Sequence, residues 1–443
     1  MASYHAPRDW EDRIDWLAAA LHGRSRWRLP VLLFGALFAS GRRVVASWIR
    51  AAGVSDDYQD YYAFLQSVGR QWSRLGGRLL VLVLLRVLKD QQRVLLAIDD
   101  SPTKRYGPQV QGAGIHHDPT PGPTGNAFCY GHVWVTLAVI VRHRVWGTIG
   151  LPILSWLYVR AQDVTKLPKR DRWTFQTKLE QGANLVQTAA QTLRYHGKEV
   201  WCVADGAYAK RPFVQPLMKQ DVTLVGRLRK DAALRDLPPV ERVKRRGRKR
   251  KYGLHRLSLA KRAAHRHGWQ EVTVTVYGRE VSKRTKTFLA THATFGGAIR
   301  VVIVQEQTGP QFFYCTDVDA SAREIIEAFA DRSAIEQVFH DVKEVWGSGQ
   351  QQVRNLWSSI GAWHVNLWLH TLVELWAWDR PAAELVHRAD SPWDDSARRP
   401  SHADRRKALQ AACLAEEFSR PLPPEQFTQK FRTLLQRLLR IAV

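Results

Sequence analysis

Cysteine is scarce in this chain and widely spaced. The 443 residues contain four, Cys129, Cys202, Cys315 and Cys413, and no two of them have the short spacing of a metal-binding pair. This excludes a disulfide-stapled secreted scaffold and a cysteine-based zinc site. We expect free, mostly buried thiols in a reduced compartment, which predicts a cytoplasmic protein.

Long apolar runs are also missing. The longest, Leu79–Leu88, contains Arg86 and is about half of the roughly 20 residues that a membrane-spanning helix needs. Charged residues fill four of the five positions from Arg8 to Asp12, where a signal peptide would be apolar. The sequence therefore predicts no membrane partner.

Negative charge is in short supply. Lys and Arg number 66 against 41 Asp and Glu, a formal net charge of +25. So one-sided a charge attracts polyanions, and DNA is the partner we expect. The densest basic stretch could be a solvated loop or a nucleic-acid contact, and the net charge favours DNA contact. Its residues are Lys244, Arg245, Arg246, Arg248, Lys249, Arg250 and Lys251.

Apolar residues make up 45% of the chain, enough for a real core and for two or three domains. From Trp10 to about Lys89 the apolar pattern is helical, which predicts a helical N-terminal domain over residues 1–90. Arg42, Arg43 and Arg50 lie on a helix predicted over Gly41–Arg50 and followed by Gly53, a pattern that resembles part of a helix-turn-helix. They could belong to a DNA-end reader or to an ordinary surface helix.

Two later segments are typical of strands that end in acids. Arg93–Asp100 is a continuous apolar run closed by two aspartates, and Glu199–Asp205 ends in a third. Between them, the pattern predicts two antiparallel strands at Gly131–Val141 and Val145–Leu154 and a helix at Trp173–Tyr195. Two independent strands should therefore bring aspartates to one edge of a sheet.

Beyond these strands the pattern changes twice. Strand-like runs at Glu271–Tyr277, Thr287–Thr291 and Ile299–Gln305 predict a β-rich insertion, and helices dominate from Ala320 onward. The predicted fold class is α/β, a mixed sheet with flanking helices. Its predicted parts are a first core segment over 91–223, the insertion with its basic loop over 224–316, a last core segment over 317–380 and a helical tail over 381–443.

A third acid lies between two bases in the last core segment. Arg332, Glu336 and Lys343 follow one another at spacings of four and seven, which places them on one face of a helix. Such a carboxylate suits a metal ligand beside a phosphate-binding surface. Solvated ion pairs on a helix surface are the alternative explanation.

The order of these elements is that of an RNase H-like core. Here the chain resembles the DDE transposases of bacterial insertion sequences, in the branch with a Tyr, two residues, Arg, three residues, Glu, six residues, Lys signature. The matching residues are Phe329, Arg332, Glu336 and Lys343, with Phe in place of the family's Tyr. The resemblance spans roughly Val94–Trp346.

Two further motifs of that branch match in the right order, Asp99-Asp100-Ser101 and Asp205-Gly206-Ala207-Tyr208. The first is an acid followed two residues later by a hydroxyl, and the second is an acid followed by an aromatic. The spacing to Ser101 favours Asp99 as the acting acid. Because side chains alternate across a strand, the choice between Asp99 and Asp100 stays open at this point.

The resemblance implies a mechanism with two divalent ions, Mg²⁺ or Mn²⁺. Asp99 or Asp100, Asp205 and Glu336 would be the catalytic acids, with Asp99, Asp205 and Glu336 as metal ligands. Arg332 and Lys343 would contact DNA phosphates.

The resemblance also implies an activity: cleavage of DNA at the element's ends and joining of those ends to target DNA. A homodimer bridging two ends, associated with the nucleoid, is expected. The alternatives are a related metal-dependent nuclease without strand transfer and a domesticated DNA-binding protein without catalysis.

Overall fold

The computed structural model describes residues 5–54, 58–117, 127–239, 250–386, 393–395 and 397–419, together with 431, 434, 435 and 438. In these ranges the chain is a mixed α/β protein with one twelve-stranded sheet and flanking helices. None of the helices in the described ranges combines the length and apolarity needed to cross a membrane.

The N-terminal segment is helical, as its apolar pattern predicts. Arg42 and Arg43 precede the third helix instead of lying on it, because that helix begins only at Val45. Arg50 is exposed in its last turn. The five helices are α1 (Arg8–Ala18), α2 (Arg28–Phe38), α3 (Val45–Ala51), α4 (Tyr58–Arg70) and α5 (Trp72–Arg86).

The predicted core strands and helix are all present. The strands are β1 (Arg93–Lys104), β2 (Gly114–His117), β3 (Phe128–His143), β4 (Gly147–Tyr158), β5 (Glu199–Ala204) and β6 (Thr223–Arg227). The helices between them are α6 (Ala161–Val164), α7 (Lys178–Tyr195) and α8 (Arg211–Met218). β1 continues four residues beyond Asp100, because its far end pairs with β3 over Ser101–Lys104.

The core strands lie in the order β4, β3, β1, β5, β6. β1 pairs antiparallel with β3 and parallel with β5, and β5 pairs parallel with β6. β4 is the antiparallel neighbour of β3 that the sequence predicts. Parallel neighbours need a crossover connection, and α7 and α8 supply the two crossovers here.

The insertion extends the same sheet. Its elements are β7 (Leu234–Arg235), β8 (Arg256–Leu257), α9 (Leu259–Ala264), β9 (Gln270–Val276), β10 (Arg279–His292), β11 (Gly297–Glu306) and β12 (Gly309–Cys315). β12 pairs with β6, so the sheet runs on from the core into β11 and β10. The boundary expected at residue 224 falls inside β6, which pairs with β5 as a core strand. Sequence reasoning missed β12, whose Gly309-Pro310 start is typical of a turn.

The last core segment is helical. Its elements are α10 (Ala322–Asp331), α11 (Ser333–Glu344), α12 (Leu356–Ala377), α13 (Ala382–Leu385) and α14 (His402–Ser419). The prediction of one continuous helix through the Arg332 signature is corrected: α10 ends and α11 begins on either side of Arg332. The backbone hydrogen bonds there span three residues in place of the four of an α-helix: Arg332 N–H donates to the Phe329 carbonyl and Ile335 N–H to the Arg332 carbonyl. Beyond Ser419, most of the helical tail expected over 381–443 lies outside the described residues.

The helix α12 is the centre of the helical layer. All of its residues except the half-buried Trp357 are buried. α4 crosses it at a pair of glycines, Gly69 and Gly361, where the two backbones meet without side chains between them. The Trp368 indole donates to the carbonyl of Ile153 in β4 at 2.9 Å, which ties α12 to the sheet. The N-terminal helices and the core strands thus share one apolar core.

Candidate active site

The parallel register of β1 and β5 brings two aspartates side by side. Ile98 pairs with Ala204, so the next residues along the two strands are Asp99 and Asp205. Neighbouring strands lie roughly 4.8 Å apart, and paired residues of parallel strands project from the same face. The two carboxylates are close enough for the charge of Asp205 to raise the pKa of Asp99.

Asp99 is a largely buried carboxylate. One oxygen accepts from Arg332 Nη1 at 2.9 Å and the other from the backbone N–H of Asp100 at 2.9 Å. Burial raises its pKa to about 6; Arg332 opposes this shift, while the charges of Asp100 and Asp205 add to it. The fold therefore holds negative charge here against a desolvation cost.

Asp99→Asn should stabilise the metal-free protein at neutral pH. The folded pKa of about 6 lies above the roughly 3.9 of an unfolded aspartate. Because the pKa of Asp99 is raised on folding, its protonated form does not destabilise the fold below about pH 4. As the pH rises towards 6, the carboxyl ionises and the free energy of unfolding falls. At pH 7.5 the charged form costs on the order of 2 kcal/mol, which the amide removes.

Urea denaturation of the native chain and the variant at pH 4 and pH 7.5, with chelator present, measures this gain. We expect the free energy of unfolding to rise by about 1–3 kcal/mol at pH 7.5 and to change little at pH 4. The exposed Asp90→Asn variant is the control and should be neutral at both values. An Asp99→Asn gain that is the same at both pH values would contradict the assignment of burial as the cause.

Arg332 links the third acid to the first. Its position between α10 and α11 lets one guanidinium donate to Asp99 through Nη1 and to Glu336 Oε1 through Nη2 at 2.6 Å. The Glu336 side chain is 59% exposed, whereas that of Arg332 is 14% exposed. The ion pair at helical spacing is thus present, but it belongs to a bridge between a strand and a helix.

Lys343 reaches the first motif from the far end of α11. Its Nζ donates to Ser101 Oγ at 2.7 Å, and Ser101 is buried. Ser101 is two residues after Asp99, so both side chains project from the same face of β1. The signature residues Arg332 and Lys343 therefore contact the first motif at two positions, Asp99 and Ser101.

Asp100 projects from the other face of β1. Lys178 Nζ lies 2.7 Å from its Oδ2, and the Tyr208 hydroxyl donates to its Oδ1 at 3.3 Å. Burial raises the pKa of Tyr208 well above its usual value, and the charge of Asp100 adds to the shift. Asp100 is thus held by α7 and the aromatic of the second motif, apart from the Asp99–Arg332–Glu336 bridge.

Sequence reasoning missed Lys178. The signal was present, since Thr177 and Glu180 form a capping box that starts α7 at this lysine. A helix start after β4 faces the end of β1 in this fold, so a base there meets an acid of the first motif.

A second group of possible metal ligands is buried elsewhere. Asp341, His370 and His402 lie together, but the two imidazole rings stack with centroids 3.9 Å apart and 23° between their planes. Stacked rings do not direct their lone pairs at one point. Both ring nitrogens of His402 are also engaged, by Glu374 and by the Trp346 indole at 2.8 Å. Asp341 and His402 are therefore held by core hydrogen bonds, whereas His370 Nδ1 is buried without a hydrogen-bond partner among the described residues.

The basic stretch of the insertion is only partly visible. Arg250 and Lys251 are exposed, which leaves both available to a phosphate backbone. The others, Lys244, Arg245, Arg246, Arg248 and Lys249, lie outside the described residues.

Aspartates where the parallel pairing of two strands ends, linked through Arg332 to a helix glutamate, define the class as a nuclease-like α/β protein. The family model described as DDE superfamily endonuclease matches residues 17–288, more than half of the chain, and the chain belongs to that family. The matched residues include Asp99 and Asp205 and end before Glu336. No curated protein matches the sequence.

Proposed function

We propose that the protein is an insertion-sequence transposase that cleaves DNA at the element's ends and joins them to target DNA. The observation that carries this proposal is the Arg332 bridge between Asp99 on β1 and Glu336 on α11, beside Asp205 at the end of β5. The strand order β4, β3, β1, β5, β6 with its two crossovers supports an RNase H-like core. Membership of the DDE endonuclease family supports a DNA substrate.

The donor set fits divalent cations that prefer oxygen. Carboxylates are the ligands of Mg²⁺ and Mn²⁺, and the Arg332 guanidinium shows that positive charge is held between Asp99 and Glu336. Asp99, Asp205 and Glu336 would hold two such ions. When bound, the ions supply activation of the attacking oxygen and stabilisation of the leaving oxygen.

The chain's own bases complete the proposed site. In this structure the Arg332 guanidinium is the counter-charge of Asp99 and Glu336. If divalent cations took that place, its N–H donors would be available to a phosphate. Lys343 lies on the same line, held by Ser101 at 2.7 Å, and offers a point charge to the next phosphate. Both residues would orient the scissile strand.

We further propose how the rest of the chain serves this reaction. The net charge of +25 favours DNA, and the basic stretch over residues 244–251 would contact the phosphate backbone. The helices of residues 1–90 would bind the element's ends, and a homodimer in the nucleoid would bring two ends together.

Covalent joining is the result that separates a transposase from a nuclease. Incubation of the full chain with DNA carrying the element's own ends, a supercoiled plasmid and Mg²⁺ should yield nicked ends and plasmid covalently linked to them. Denaturing gels with labelled ends measure both products. Ends that are nicked but never joined would overturn strand transfer in favour of a nuclease, and binding without nicking would favour a non-catalytic DNA-binding protein.

A further inference from the structure

A groove with a volume of about 1740 Å³ opens beside the first motif, and Asp100 and Glu344 are the acids among its lining residues. Ser101 and Lys343 also line it, and it lies between the segment after β1 and the loop between α11 and α12. Gly41 and Arg42, before α3, line it as well. Small-molecule sites measure roughly 300–1,000 Å³, so this groove has the size for a polymer.

A buried arginine joins the walls of the groove. Arg105 Nη1 donates to the Gln351 carbonyl at 2.6 Å, and its Nε donates to His132 Nδ1 at 3.1 Å. Gln351 Nε2 in turn donates to the carbonyl of Arg43 at 3.0 Å. The strand, the loop and the segment before α3 are thus held together without a ligand, so the groove is preformed.

Arg105 also gives the groove a positive floor. Burial lowers its pKa to about 10, which leaves the guanidinium charged at neutral pH. In the part of the chain that the structure describes, no carboxylate pairs with it. Three exposed cations, Arg42, Lys104 and Arg354, line the groove above it.

An aromatic side chain projects at the same place. Tyr106 is 81% exposed although it follows a buried residue, and it lines the groove together with Lys104. A tyrosine in this position buries little apolar surface in its own chain. Basic side chains interleaved with an accessible ring are the features that bind single-stranded nucleic acid, because an unpaired base offers a free face for stacking.

We infer that this groove binds an unpaired segment of the DNA strand that leads to the acids. The phosphates would lie along Arg42, Lys104 and Arg354, and one base would stack on the Tyr106 ring. The inference rests on the proposed function for the identity of the polymer. It adds that the strand is unpaired where it leaves the acid cluster, since bases within a duplex are already stacked on each other.

Fluorescence anisotropy with a labelled single-stranded oligonucleotide and a duplex of the same length tests this inference. The full chain is used with chelator, so that no cleavage occurs. Tyr106→Ala should weaken single-strand binding about tenfold and duplex binding less than about twofold, and Tyr106→Phe should restore it. Lys104→Gln and Arg354→Gln should each lower the salt dependence of single-strand binding, by a slope of about 0.7.

Tyr195→Ala is the matched control. Tyr195 is 87% exposed at the last residue of α7, whose first residue, Lys178, contacts Asp100. An 18-residue helix places it about 26 Å from that contact, so this variant should bind like the native chain. Equal effects of the two alanine variants, or equal losses for single strand and duplex in Tyr106→Ala, would overturn the inference. Because the assay contains no divalent metal, a chain that joins no DNA can still show the Tyr106 dependence.

Discussion

Glu336→Gln should reduce Mg²⁺-dependent cleavage of end-bearing DNA by at least about a hundredfold to a thousandfold, the loss typical of removing one preorganised electrostatic group. The amide keeps the shape of the side chain and removes the charge that would hold a divalent ion. Glu336 is 59% exposed and its hydrogen bond is to Arg332 Nη2, so the fold should tolerate the change. DNA binding should persist, because the net charge becomes more positive by one.

Nicking of labelled duplex over time, beside anisotropy on the same DNA, measures both quantities. Glu280→Gln, at an exposed position of β10, makes the same chemical change away from the acids and should cleave like the native chain. Residual cleavage within about tenfold of native in Glu336→Gln would remove this residue from the proposed trio. Loss of both cleavage and binding in this variant would instead indicate a positioning role for the Arg332–Glu336 pair.

The strands that carry the acids could be predicted because their signals are local. A continuous apolar run that ends in acids is typical of a buried strand at the edge of a site, and β1 and β5 have this pattern. What could not be predicted was the face. Strand alternation predicts that the two neighbouring aspartates project to opposite sides, but only the observed partners, Arg332 for Asp99 and Lys178 for Asp100, show that Asp99 is the one on the side of α11.

Other features depend on contacts between distant parts of the chain. No proline or glycine marks the helix break at Arg332 in the sequence. The guanidinium of Arg332 nevertheless contacts Asp99, 233 positions away in sequence, as well as Glu336, four positions away. The groove likewise depends on Arg105 reaching a loop 246 residues away. Helical periodicity describes one element at a time. It predicts that Arg332 lies on the surface of its helix, but it gives no information about contact with Asp99 on β1.

The glycine crossing is the clearest case of a contact that periodicity cannot show. Gly361 lies within the tryptophan-rich α12, where sequence alone reads it as a weak helix residue. In the fold, a Cβ at Gly361 would fall on the carbonyl oxygen of Leu65 in α4, well inside van der Waals contact, and 3.1 Å from the amide nitrogen of Gly69. Backbone cannot move aside as a flexible side chain does.

Gly361→Ala should therefore destabilise the protein by about 3 kcal/mol or more, at the upper end of the cost of overpacking. Because α12 is also tied to β4 through Trp368, separating α4 from α12 should disturb the sheet, and we expect the midpoint of thermal unfolding to fall by about 3 °C or more. Circular dichroism melts measure it. Gly77→Ala on α5, where a Cβ meets nothing within 4 Å, is the matched control and should stabilise by about 0.5–1 kcal/mol. Equal shifts for the two variants would show that α4 and α12 do not cross in backbone contact, because helix propensity alone changes identically in both.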